Sequence, residues 1–379
     1  MNLPFDVLAF LVFVLAQWRM TAALRSRGLP RAALILFNGV VILGYALTFS
    51  ELDSHLGLSA RAATTIGAAT LFYLIVAAVI MAVSRLENFI GKRLPEGADP
   101  GRRRLLLGAT GGLLAAAPVA VIGYGTFIER LDFRVREVDL PVPGLPADLE
   151  GLRLVQLSDI HLSAFLSESE LARVVDAANS LRPHVALATG DLISSRGDPL
   201  DACIRQLARL KSAAGTFGCL GNHERFAMAE DYTTEAAARV GIPFLRGAAR
   251  QLQFGGAVLN LAGVDYQSTS NKVNYLKEAA PLKAPGAVNV LLSHNPDVLP
   301  VAARQGWDVM LSGHTHGGQI SVEFLECSIN PARFFTPYIY GPYRVGSTSA
   351  YVTRGIGTIG IPTRIGAPPE IALVRLRRA

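Results

Sequence analysis

The sequence predicts an α/β domain behind an N-terminal helical transmembrane region. Three observations predict it. Long apolar stretches crowd the first third of the chain, whereas short apolar runs alternate with helical patterns in the remainder. Half of the 379 residues are apolar and only 17% are charged, with a mean hydropathy of +0.33, too oily for an ordinary water-soluble chain. Five of the seven histidines stand in short polar motifs, each directly after one of the short apolar runs. The expected division is a transmembrane region over 1–127, with three to four helices, and a globular α/β domain over 128–379 that holds the polar motifs.

Stretches 32–49, 62–83 and 105–127 carry little or no charge and match the roughly 20 residues that cross a hydrocarbon core. A fourth, 7–18, is shorter and spans only if residues 3–5 join it. Arg19, Arg25, Arg27 and Arg31 fill one loop, and Arg85, Lys92, Arg93, Arg102, Arg103 and Arg104 another; the loop between them has only Arg61. Basic loops stay cytoplasmic, so the last span should carry the following domain outward from a bacterial inner or plasma membrane. Arg102-Arg103-Arg104 before Leu105 fits a twin-arginine export signal and equally a plain positive-inside stop.

The net charge of +6 divides unevenly. Residues 1–126 hold 11 Lys/Arg against 6 Asp/Glu, and residues 127–379 hold 25 against 24. The excess belongs to the membrane loops, which argues against a dedicated nucleic acid partner. Cys203, Cys219 and Cys327 form no C-x-x-C pair, so a cysteine-held zinc is not expected. Cys219 reads as a core residue, and a Cys203–Cys219 disulfide stays open in an oxidising compartment.

From residue 130 the elements follow in order. Alternation over 131–140 reads as a half-exposed strand, closed by Pro141, Pro143 and Pro146. Apolar strands are then expected at 152–157, 185–189, 217–220, 288–292 and 309–312. Each runs into a polar motif: Ser158-Asp159-Ile160-His161, Gly190-Asp191, Gly221-Asn222-His223-Glu224, Ser293-His294, and Gly313-His314-Thr315-His316-Gly317-Gly318-Gln319. Helices are expected near 168–181, 199–213, 232–240 and 296–305, and a hairpin at 251–254 and 258–262 around Gly255-Gly256. In α/β sheets ligands bind beyond the C-terminal ends of strands, where all five motifs fall.

A lone histidine at a strand end is more often a satisfied polar residue than a ligand. Five of them beside aspartates, with His314 and His316 alternating next to two glycines, point to metal instead. A phosphate diester repels nucleophiles by its own charge. Two cations roughly 3.5–4 Å apart offset that charge and acidify water. Mixed carboxylate and imidazole donors suit borderline ions such as Mn, Fe or Zn. Asp191, alone on a tight strand-to-loop turn, is the natural bridge.

The ordered series D-x-H, G-D, G-N-H-E, H, G-H-x-H resembles that of the calcineurin-like metallophosphoesterases over about 130–379. The ending Tyr351-Val352-Thr353-Arg354-Gly355-Ile356-Gly357, with Gly366-Ala367-Pro368-Pro369-Glu370, resembles their membrane-associated YkuE/YaeI-type branch. The resemblance implies a four-layer αββα sandwich and two divalent metal ions. By motif position, Asp159, His161 and His316 would bind the first metal, and Asn222, His294 and His314 the second, with Asp191 shared. A metal-bridging hydroxide would attack and His223 would act as general acid, with Glu224 behind it orienting the ring. The expected reaction is hydrolysis of a phosphodiester or pyrophosphate bond, and anchoring beside a bilayer suggests a lipid-linked or envelope substrate. The alternative is a non-catalytic metal-binding scaffold on the same fold; such a chain should lack the acid or the bridge, and both are present. His55 and His184 lie outside every motif and receive no role. Arg354 and Arg364 read as loop or ion-pair arginines, and Tyr338, Tyr340 and Tyr343 as packing residues.

Overall fold

The computed structural model describes residues 30–49, 120–121, 123–324 and 327–379, with isolated positions among 11–25 and at 82, 85 and 89. The expected span at 62–83 but for Ala82, most of that at 105–127, the arginine run at 102–104 and His55 lie outside the described residues. Contacts divide the chain into two units, Met1–Gly125 and Thr126–Ala379.

In the first unit, helix α1 (Arg31–Phe49) falls on one of the expected spans. Its one central polar side chain, Asn38, donates to Leu34 O at 2.7 Å and accepts from Gln17 and Thr21 at 3.0 Å each. Ile35, Leu36 and Val40 on the same helix are exposed. Among the described residues, no helix is long and apolar enough to cross a membrane.

The second unit is a mixed α/β sandwich of two sheets. Its strands are β1 (Arg134–Val142), β2 (Arg153–Leu157), β3 (Val185–Thr189), β4 (Thr216–Cys219), β5 (Ala248–Phe254), β6 (Ala257–Gly263), β7 (Val288–Leu292), β8 (Val309–Ser312), β9 (Val322–Phe324), β10 (Cys327–Ile329), β11 (Gly341–Val345), β12 (Thr348–Val352) and β13 (Glu370–Arg378). One sheet has the order β1-β13-β2-β3-β4 and the other β11-β12-β8-β7-β6-β5; β9 and β10 form a separate ribbon. β2, β3 and β4 are parallel, as are β6, β7, β8 and β12. Parallel strands send their C-terminal loops to one edge, which is what gathers the motifs.

The inner strands β3, β7 and β8 are buried on both faces, so they read as nearly unbroken apolar runs. Val185 and Leu187 face the opposite sheet, where they meet Leu259, Val290 and Leu311. Ala186 and Ala188 face outward, against Leu171, Val174 and Ala178 of helix α2 (Glu168–Ser180) and Cys203 and Leu207 of α3 (Leu200–Leu207). Ser167 and Glu170 close a capping box at the start of α2. Leu291 and Met310 point away from the other sheet and pack with Leu299, Ala302 and Trp307.

The expected hairpin forms as β5 and β6. The helix expected over 199–213 stops at Leu207, and that expected over 296–305 divides into a 3-10 turn and Leu299–Arg304. Pro141 lies inside β1 rather than after it, tolerated because β1 is an edge strand. Cys203 and Cys219 are both buried and free, so the disulfide that the sequence left open does not form.

Candidate metal centre

Five strand ends deliver the motif residues to one place. Asp159 and His161 follow β2, Asp191 follows β3, Asn222 and His223 open the short helix α4 (Asn222–Phe226) after β4, His294 follows β7, and His314 and His316 follow β8. Asp159, His161, Asp191, His314 and His316 all have positive φ, between 47° and 77°. Side-chain-bearing residues adopt that region at a cost of about 1–2 kcal/mol each, and such residues cluster where geometry serves function. The strand-end loops hold each other in it: Asp159 N–H donates to Gly190 O and His161 N–H to Asp191 O, both at 3.0 Å.

The glycines of two motifs are required by closeness. A Cβ on Gly221 would lie 2.1 Å from Asp191 Oδ1, and one on Gly313 would lie 2.2 Å from Asp159 Oδ2.

Three sets of side chains bring donor atoms within 4.8 Å of one another: Asp159 with His161 and His316; Asp191 with His294 and His314; and His161 with Asp191 and His223. His316 Nε2 is 3.4 Å from Asp159 Oδ1, and His294 Nε2 is 3.0 Å from Asp191 Oδ2. His294 Nδ1 donates to Thr189 O at 2.7 Å, which leaves its Nε2 lone pair directed into the cluster. His314 N–H donates to the Asp159 carboxylate at 2.9 and 3.1 Å.

Burial sets the charges. It pushes the His161 and His314 imidazoles down to about 3, so both are neutral ligands in waiting. At His294 burial opposes protonation, but the charges of Asp191 and Asp159 outweigh it and raise the ring to about 10. Burial raises Asp159 to about 6. It pulls Asp191 the same way, yet the nearby His294 holds that carboxyl well below the usual range. In the ion-free cluster Asp191 and His294 therefore pair as opposite charges, and a bound ion would take the place of the Nε2 proton.

Buried polar atoms ordinarily have a hydrogen-bond partner. His161 Nε2, His294 Nε2 and Asn222 Oδ1 are buried and have none. Unspent imidazole and amide donors around two carboxylates fit divalent borderline ions, so the residues present suit the metals that the motifs imply.

Two of the sequence expectations change at this point. Glu224 does not orient the His223 ring. Its buried carboxylate accepts from the N–H groups of Gly221 (2.8 Å), Asp191 (3.0 Å) and Leu192 (2.6 Å). The ring is held instead by Ser194, whose carbonyl accepts from His223 Nδ1 at 2.5 Å and whose hydroxyl lies 3.1 Å from His161 Nδ1. Arg364 is neither a solvated loop residue nor, among the described residues, a partner in a carboxylate ion pair. It is fully buried and donates to the carbonyls of Gly357, Ala367 and Arg354, with Nη2 3.5 Å from His316 Nδ1. Sequence reasoning missed Ser194 altogether and missed Tyr266, whose ring lies 5.5 Å from that of His314. Neither sits in a motif. The one available signal for Tyr266 was its place just after an apolar strand, the position that the five motifs share.

A two-sheet sandwich with carboxylates and imidazoles at its strand ends defines a metal-dependent phosphoester hydrolase when the motifs come in this order. Residues 152–318 match the calcineurin-like phosphoesterase family. The chain is 33% identical over 289 residues to a transmembrane protein with metallophosphoesterase domain from Danio rerio, covering 70% of this chain and 62% of that protein. It is 30% identical over 281 residues to the metallophosphoesterase YkuE of Bacillus subtilis (strain 168), covering 73% of this chain and 97% of that one. The chain thus spans less than two thirds of the fish protein and nearly all of the bacterial one. It belongs to the calcineurin-like metallophosphoesterase family.

Proposed function

We propose that this chain is a membrane-anchored phosphoesterase with a two-metal centre that hydrolyses a phosphodiester or pyrophosphate bond. The observation that carries the reading is the set of buried, partnerless donor atoms on His161, His294 and Asn222 around two carboxylates. Asp159, His161 and His316 would hold one divalent ion, and Asn222, His294 and His314 the other, with Asp191 shared between them. When bound, such ions supply positive charge against the phosphate and a more acidic water.

The chain's own residues do the rest. Asp191 Oδ1 accepts the backbone N–H of His223 at 2.8 Å, which ties the acid to the shared carboxylate. His223 Nδ1–H stays on Ser194 O, so a protonated ring has Nε2–H left to give to the leaving oxygen. His223 is half-buried and so open to substrate, whereas His161 and His294 are buried.

The long apolar stretches at 32–49, 62–83 and 105–127 and the loop arginines support an anchored chain with the catalytic unit outside the cytoplasm. Anchoring beside a bilayer supports a lipid-linked or envelope substrate. The test uses the purified full chain loaded with Mn and bis-p-nitrophenyl phosphate as substrate. Wild type should turn over and Asp191→Asn should not; equal rates would sink the enzymatic reading. A C-terminal reporter active only in the cytoplasm should be silent, and a positive signal would overturn the orientation.

A further inference from the structure

Three loops at the mouth of the metal centre each set an exposed apolar side chain beside an exposed cation. Arg225-Phe226, followed by Met228, closes α4. Lys272-Val273 lies in the 3-10 segment Thr269–Asn274, and Arg333-Phe334 in the 3-10 segment Pro331–Phe334. Val273 is 97% exposed, Phe334 89%, Met228 75% and Phe226 67%, so these side chains contribute almost nothing to the core.

Each loop reaches a side chain of the centre. The Phe226 ring lies 5.5 Å from that of His223. The Tyr266 ring lies 5.5 Å from that of His314. Thr269, His314 and Ala332 line one cavity of about 220 Å³. Of the neighbouring acids, Asp231 is bound to Arg246 at 2.6 Å, and Asp297, in the same cavity, accepts from the Thr336 hydroxyl.

We propose that this rim seats on an anionic lipid surface, its apolar tips entering the headgroup boundary and its cations meeting lipid phosphates. Apolar tips interleaved with Lys and Arg are the composition of interfacial insertion, and each cation near such a surface strengthens the attachment. Phe, Met and Arg also occur at protein interfaces, where only Lys272 is disfavoured, and the bromolipid arm of the test separates the two. Seating would place the metal centre against the headgroup layer, so that a lipid-borne phosphate ester reaches His223 and His314 without leaving the bilayer. The inference rests on the proposed reaction only for what the mouth does.

The test places an environment-sensitive fluorophore on Val273→Cys of the full chain, in a Cys327→Ser background, reconstituted into vesicles. A control probe on Gln253→Cys sits at the hairpin end of β5, away from the strand ends that carry the site. With phosphatidylglycerol in the vesicles, the probe at 273 should shift to the blue and be quenched several-fold by brominated lipid. The shift should shrink in phosphatidylcholine alone and in Lys272→Glu/Arg333→Glu, while the probe at 253 stays in water. A probe at 273 as water-exposed as that at 253 overturns the proposal. So does a blue shift that rises with protein concentration but shows no bromolipid quenching, which would mean a protein covers the rim. Lys272→Glu/Arg333→Glu should keep wild-type hydrolysis of soluble bis-p-nitrophenyl phosphate. Absence of that activity in wild type would count against the reaction and leave the probe result standing.

Discussion

The carboxylate of Glu224 accepts the backbone N–H of Asp191 at 3.0 Å. Through the same carboxylate it also holds Leu192 N–H and Gly221 N–H, so one buried side chain fastens the loop after β3 to the loop after β4. Those are the loops that supply Asp191 and Asn222. Glu224→Gln retains one acceptor oxygen and turns an amide N–H₂ toward a backbone donor. It should cost about 1–3 kcal/mol of stability and weaken metal retention, with His223 left on Ser194. Thermal unfolding and metal per chain check this; a variant that melts with wild type and keeps its metal would refute the strut.

His223 should show its role through the leaving group. A p-nitrophenolate leaves without a proton, whereas an alkoxide needs one. His223→Asn should therefore lower kcat by roughly 10²–10⁴ for an alkyl ester and far less for bis-p-nitrophenyl phosphate, with metal content unchanged. Equal losses on both substrates would show that the ring positions rather than protonates.

Arg364 closes the C-terminal loop over the centre. It donates to the carbonyls of Gly357, Ala367 and Arg354, and Gly357 N–H in turn donates to Asp159 O at 2.7 Å. Lysine cannot reproduce that fork. Arg364→Lys should leave buried carbonyls unpaired, costing on the order of 3 kcal/mol, and should weaken the ion held by Asp159, His161 and His316 more than its neighbour. A Mn titration followed by metal analysis separates the two sites; two equally affected sites would make Arg364 a fold residue only.

The differences between what the sequence signals and what the fold does have physical causes. β3 was legible because Val185–Thr189 is buried on both faces, which forces an unbroken apolar run. β13 was not, although it lies between β1 and β2. Its Arg375 and Arg377 interrupt the apolar pattern, and they are accommodated by Glu137, Asp139 and Glu150, more than 200 residues earlier in the chain. The motif residues of the site were legible because short spacing alone defines them. Glu224 was seen but given the wrong partner: its neighbour in sequence is His223, while two of the N–H groups that it holds stand 32 and 33 residues away. Arg364 had no periodic signal, since the carbonyls of Gly357, Ala367 and Arg354 that satisfy it belong to an irregular loop whose folding back on the guanidinium no sequence pattern marks.

His184 gives a pH signature remote from the metal centre. Its Nδ1 accepts Arg153 N–H at 2.9 Å, which requires the neutral ring. Burial first, and then the Arg153 charge, lower its folded pKa below the ordinary value. The unfolded value is about 6.5. Above that pH the ring is neutral in both states and the contribution to stability is complete. As pH falls below about 6.5 the unfolded chain takes up the proton first, so stability declines until pH reaches the lower folded value. His184→Asn keeps an acceptor for Arg153 and removes the titration. In chelator, the urea midpoint of wild type should fall more steeply below pH 6.5 than that of His184→Asn, with the two curves parallel above it. Parallel curves across the whole range would show that the ring takes up its proton equally in the folded and unfolded chain.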